Sequence, residues 1–246
     1  MFRTEFPRLY ELKDCTSNTA SSDAYFHNFD QNLASSTHVQ DVYLRYERAL
    51  QGLDDKAWEH LKGEAEQRLT LFDKKGRGWQ QLFDILNEAR AYNYLKLRGC
   101  ADLRFIPRSR GKSPDLEGSL ASNRVLCEVK TINISNEEAA FRTCPVKARS
   151  FSMTISAEFL KKLRATIETA KQQLSAFDHD RAAVHFVYLN ISFDDFLARF
   201  KEAYFKQIDD DLAEIPVPCI TLVICNDYTA FYKPIEMRFA DVDNIG

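Results

Sequence analysis

Ser113-Pro114-Asp115 and, downstream, Val125-Leu126-Cys127-Glu128-Val129-Lys130-Thr131-Ile132 decide how this chain is read. The second stretch is an apolar run interrupted by an acid and a base. Successive side chains of a strand point to opposite faces, so Glu128 and Lys130 share one face with Leu126 and Ile132. Val125, Cys127, Val129 and Thr131 take the other. Ionised groups on a buried strand are costly unless they are paired or hold a metal. The pair is therefore a candidate site, with Asp115 upstream in a second short segment. The plain alternative is an isolated Glu128–Lys130 ion pair at a sheet edge.

Working outward, three short strands are expected at 103–107, 115–117 and 125–132, with Gly111 and Gly118 marking the turns between them. Before them a helix is expected from about residue 79. Its residues Leu82, Ile85, Leu86, Ala89 and Tyr92 recur as a core-facing stripe, Glu88 lies at the stripe's margin, and Gly99 ends it. After a long polar connection, Ser156 can cap a helix running to about residue 176. Leu163, Ile167, Ala170 and Leu174 lie on its buried face. A strand buried on both faces follows at 182–189, then a helix at 193–212 and a last strand at 220–225. Strands alternating with helices imply an α/β domain with a mixed sheet. Toward the N-terminus, 39–73 reads as helical with Gly52 as divider, and 15–23 reads as a loop. The expected organisation is an N-terminal helical subdomain over 1–75 and the α/β domain over 76–246.

Pro114-Asp115 with Glu128-Val129-Lys130 resembles the signature of the PD-(D/E)xK nuclease superfamily, which includes restriction endonucleases and DNA-repair and defence nucleases. The resemblance covers roughly residues 79–190 and implies a restriction-endonuclease-like αβββαβ core. It also implies that Asp115, Glu128 and the main-chain carbonyl of Val129 ligate Mg²⁺, with Mn²⁺ able to substitute. Lys130 would contact the attacking water and the scissile phosphate, and Glu88 would be a fourth, helix-borne member. Hard carboxylate oxygens suit Mg²⁺, which keeps several waters and takes substrate phosphate. Glu117, close to Asp115 on the same face, is either an auxiliary ligand or a surface acid before a turn. Gln173 and Phe177 have the spacing of a Gln-x-x-x-Tyr element found in some members, with Phe in place of Tyr, and no role is assigned to them. His179 and His185 lack metal-ligand spacing and are expected as core or surface histidines. The function implied is metal-dependent endonucleolytic hydrolysis of phosphodiester bonds in DNA, in a defence or mobile-element setting. The alternative is a nuclease-fold protein that binds nucleic acid or docks a partner without cleaving.

Net charge is −3, which argues against a generally basic nucleic-acid coat. Positive charge is instead concentrated locally. Arg104, Arg108, Arg110 and Lys112 form one acid-free stretch, and Arg142, Lys147 and Arg149 another. Both flank the candidate site in sequence and are expected to contact phosphates, although solvated loops would look the same. A 45% hydrophobic and 28% charged composition suits a globular chain able to bury a core. The longest apolar run, 219–225, is far too short for a membrane span. The acid-containing N-terminus does not read as a secretory leader. The six cysteines, without a close pair, read as reduced residues rather than a zinc site. A cytoplasmic protein is expected, able to form a homodimer or to dock a partner through its N-terminal helices.

Overall fold

A computed structural model describes residues 2–15, 25–35, 37–69, 80–108, 113–132, 154–180, 182–191, 201–213, 220–226 and 235–237. The chain divides into two compact units, Met1–Gly99 with Leu103–Phe105, and Cys100–Asp102 with Ile106–Gly246.

The first unit contains α1 (Pro7–Asp14), α2 (Phe29–Ser35), α3 (Thr37–Gln51), α4 (Asp55–Arg68) and α5 (Gln80–Leu97). Proline opens α1, where its missing N–H costs nothing. The next two amides, of Arg8 and Leu9, donate to the buried carboxylate of Glu47 on α3 at 3.1 and 2.9 Å. Glu47 is therefore a helix cap supplied from another helix. Burial pushes its carboxyl up, and the amide donors oppose that shift. Asp54 caps α4 by accepting from Ala57 N at 2.9 Å, and its second oxygen takes the Tyr92 hydroxyl of α5 at 2.7 Å. Helices α1 and α2 are absent from the sequence reading, since at 8 and 7 residues they are too short to show a periodic stripe.

Helix α5 groups with the helices before it, whereas the division expected at residue 75 assigned it to the α/β domain. Leu82, Leu86, Ala89, Ala91 and Leu95 are all fully buried, so its apolar surface is wider than a single stripe. It comes close to Gly52, the residue after α3. The Asn93 amide there donates to Ala49 O at 2.6 Å and Ala89 O at 2.8 Å. A Cβ at position 52 would lie 2.1 Å from Asn93 Oδ1. Gly52→Ala is expected to lower stability by about 1–3 kcal/mol through this overpacking, read as a lower urea midpoint with an unchanged slope.

β1 (Ala101–Phe105) is divided between the two units, and the second unit is built on the strands β2 (Leu116–Leu120), β3 (Asn123–Ile132), β4 (Val184–Ile191), β5 (Ile220–Asn226) and β6 (Ile235–Met237), which neighbour one another in that order. β2 runs antiparallel to β3, β3 to β5 are mutually parallel, and β6 reverses again. This is the expected α/β class with a mixed sheet. Parallel neighbours need long crossovers, and α6 (Ala157–Phe177) and α7 (Lys201–Ala213) lie in them. Ser156 caps α6 as expected, accepting from Phe159 N at 3.2 Å. The α6 stripe of Leu163, Ile167, Ala170 and Leu174 shares one core with Leu126, Ile132, Val187 and Leu189. The face of β3 that carries Glu128 and Lys130 is thus the face covered by α6.

One turn differs from expectation. Gly118 lies inside β2, and the reversal is made by Ala121 (φ 46) and Ser122 (φ 72). Two left-handed residues give the mirror-image turn that matches strand twist in a two-residue hairpin, and glycine is only its commonest occupant. A left-handed conformation costs an L-residue about 1–2 kcal/mol. Ser122→Gly is accordingly expected to stabilise the protein by about 1 kcal/mol, measured as a rise in melting temperature. The other expected turn, at Gly111, lies outside the described residues. Among those residues no helix is long and apolar enough to cross a membrane.

Candidate active site

The β2–β3 ladder ends at Leu116 opposite Cys127, and Asp115 is the residue just beyond that end. Pro114, which has no N–H to offer a ladder, precedes it. Asp115 N still donates to Cys127 O at 3.1 Å. Its side chain then takes over where the β2 backbone departs: Asp115 Oδ2 accepts from Val129 N at 2.7 Å. Because the N–H and C=O of one strand residue point to the same edge, the Val129 carbonyl lies on this side too. A carboxylate, a second carboxylate and a main-chain carbonyl are thus brought to the place where two strands part.

Glu128 is 1% exposed. Its Oε1 is paired with the Lys130 ammonium, and its Oε2 accepts from Gln173 Nε2 at 2.8 Å. Gln173 reaches in from α6. Its Nε2 also donates to Ser113 O at 2.7 Å, and its Oε1 accepts from Lys130 Nζ at 3.4 Å. One amide therefore fixes the acid, the base and the start of the Ser113-Pro114-Asp115 segment. Burial, followed by the neighbouring Asp115 charge, pushes the Glu128 carboxyl up to about 8 against the opposing pull of Lys130 and Arg108. Burial likewise raises Asp115, opposed by the Val129 amide and by Lys130. Two carboxylates that resist being charged together, beside one ammonium, form a site that would gain from a further cation.

Asp115, Glu128, Val129 and Lys130 are thus brought together. Glu88 lies in α5, in the other compact unit, and is buried at 8% exposure. Among the described residues no three His, Cys, Asp or Glu are grouped to hold a metal. A two-carboxylate donor set still suits Mg²⁺, which is commonly held by one or two carboxylates with waters and substrate phosphate completing the shell. Of the basic residues, Arg104 and Arg108 are exposed, and the Arg108 charge reaches both carboxylates. Arg110, Lys112, Arg142, Lys147 and Arg149 lie outside the described residues. Glu117, whose side chain is 13% exposed, is paired with Arg124 at 3.0 Å.

Gln173 is the residue to which sequence reasoning assigned no role. Its signal was its place between Ala170 and Leu174, a polar side chain on the edge of the stripe facing β3. Compared with known proteins, the chain matches no family model, no curated protein and no solved structure.

Proposed function

We propose that this chain is a metal-dependent endonuclease that hydrolyses phosphodiester bonds, with DNA as its substrate. The observation that carries this reading is the meeting of the Asp115 and Glu128 carboxylates with the Lys130 ammonium where β2 leaves β3. The chain order α5-β1-β2-β3-α6-β4 also supports it, being the αβββαβ order that the sequence resemblance implies.

Asp115, Glu128 and the Val129 carbonyl would hold Mg²⁺ or Mn²⁺, which when bound supplies Lewis acidity and an activated water. Asp115 contributes a carboxylate whose orientation is set by the Val129 amide. Glu128 contributes one whose orientation is set by Gln173 and Lys130. Lys130 keeps a positive charge beside the carboxylates, where it can offset negative charge developing on the phosphate oxygens as water attacks phosphorus and the ester oxygen leaves. Arg108 adds a longer-range attraction for the anionic strand.

The test is incubation of plasmid and labelled oligonucleotides with Mg²⁺ or Mn²⁺, comparing the wild-type chain with Asp115→Asn. Cleavage that needs the divalent ion and vanishes in the variant is expected. Tight nucleic-acid binding without cleavage under either metal would instead favour the non-cleaving alternative. Neither binding nor cleavage would end the nucleic-acid reading altogether.

A further inference from the structure

Asp178 follows the last turn of α6 as its C-cap, with its N–H on Leu174 O at 2.9 Å. A carboxylate is out of place there for the helix alone, because the C-terminal end of a helix already carries partial negative charge. Its use is tertiary. The side chain is 3% exposed and accepts from Ala183 N at 3.0 Å and from His185 Nε2 at 3.0 Å. His185 stands in β4 beside Leu126 in the β3–β4 ladder, on the strand preceding Glu128 by two positions. The pair therefore ties the end of α6 to the sheet that bears the site.

The remaining contacts of α6 with that sheet are largely the apolar stripe. Apolar contact is non-directional and opposes small sliding or rotation of a helix only weakly. Hydrogen bonds to a buried carboxylate are directional. Gln173 lies five residues before Asp178, about 7–8 Å along the helix axis, close enough for a shift at one to be felt at the other. We propose that Asp178 and His185 are positioning residues: the pair fixes α6 along β4 and so holds the Gln173 amide on Glu128, Lys130 and Ser113. The consequence for reaction rate rests on the nuclease reading above, and the geometric part does not.

The first measurement follows the Gln173 side-chain amide by ¹H–¹⁵N NMR, its signal identified by its loss in Gln173→Ala. His185→Ala is expected to move that signal toward the position of a free glutamine. His185→Gln, whose amide can still donate to Asp178, is expected to keep it in place. Asp178→Ala, which removes the acceptor, serves as the second variant if His185→Ala does not fold. The other measurement is Mg²⁺-dependent plasmid cleavage. His185→Ala is expected to lower kcat by about ten- to hundredfold, the scale of a displacement near 1 Å, with KM unchanged and His185→Gln restoring the rate. The loss should disappear in a Gln173→Ala background, because the pair acts through that residue. A His185→Ala chain with a lower melting temperature but an unmoved Gln173 signal would overturn the proposal, as would losses that simply add to those of Gln173→Ala. A wild-type chain that cleaves nothing would end the nuclease reading, and the amide signal would still decide the positioning role.

Discussion

Lys130→Ala is expected to lower phosphodiester cleavage by about 10²–10³-fold, the scale of loss when one fixed donor is removed from a developing oxyanion. The Lys130 ammonium is paired with Glu128 Oε1 and lies 3.4 Å from Gln173 Oε1, so its charge is already in place before any substrate arrives. Its removal leaves Glu128 buried without its counter-charge, and breaking a buried pair costs about 3–5 kcal/mol if the remaining group stays ionised. Glu128 has an escape from that penalty. Its carboxyl is pushed up to about 8 even with Lys130 present, so without Lys130 it keeps a proton at neutral pH. The melting temperature of Lys130→Ala near pH 7 is therefore expected to stay within a few degrees of wild type, and calorimetric titration should still detect divalent metal, whose binding displaces the Glu128 proton as it cannot displace anything from a glutamine. A variant that unfolds would show that Lys130 serves chiefly as counter-charge. Undiminished cleavage would take the Glu128–Lys130 motif out of the nuclease reading.

The second large effect concerns Glu128 itself. A carboxyl with an ordinary value of 4.5 in the unfolded chain and about 8 in the folded one makes the folded state the better proton binder between those limits. Stability then falls as pH rises through that window and is flat on either side of it. Burial raises the Asp115 carboxyl in the same direction, so the two contributions reinforce each other. Glu128→Gln removes the ionisation, and is expected to make the protein more stable than wild type by on the order of a few kcal/mol at pH 8.5, but not at pH 4.5. It should also abolish divalent-metal binding, because the site loses one of two anionic donors. Urea unfolding of both proteins at pH 4.5, 6.5 and 8.5 reads the first effect, and calorimetric titration with Mn²⁺ the second. A wild-type midpoint that climbs with pH over this range would contradict the assignment of Glu128 as a buried, charge-resisting carboxyl.

What could be read from the sequence follows from the range of the forces involved. The face shared by Leu126, Glu128, Lys130 and Ile132 is set by strand geometry alone, and alternation along β3 was enough to give it. The α6 stripe and its Ser156 cap are equally local and were equally legible. Gly118 misled because glycine is the usual occupant of a left-handed turn, whereas this hairpin places Ala121 and Ser122 there. Glu47 capping α1 and Gln173 bridging Ser113, Glu128 and Lys130 depend on residues far apart in the chain. Nothing within a few positions of either residue announces those partners.

The side chain of Asp115, standing in for a missing strand residue at the end of the β2 ladder, makes this site a matter of counting. Which residue reaches the Val129 amide is fixed by how many positions separate it from the hairpin tip. A shift of one residue in that pairing also turns every side chain of the strand to the other face. Losing a single codon within 116–120 would move Pro114 into the place of Asp115 beside the Val129 amide and remove the first carboxylate without touching any residue of the site. Extra residues inserted at the tip, between 121 and 122, would lengthen the loop and leave the count along the strand unaltered. Among descendants of this gene, length variation should therefore collect at the tip and be purged from the short strand behind it, even where substitutions in that strand are freely accepted.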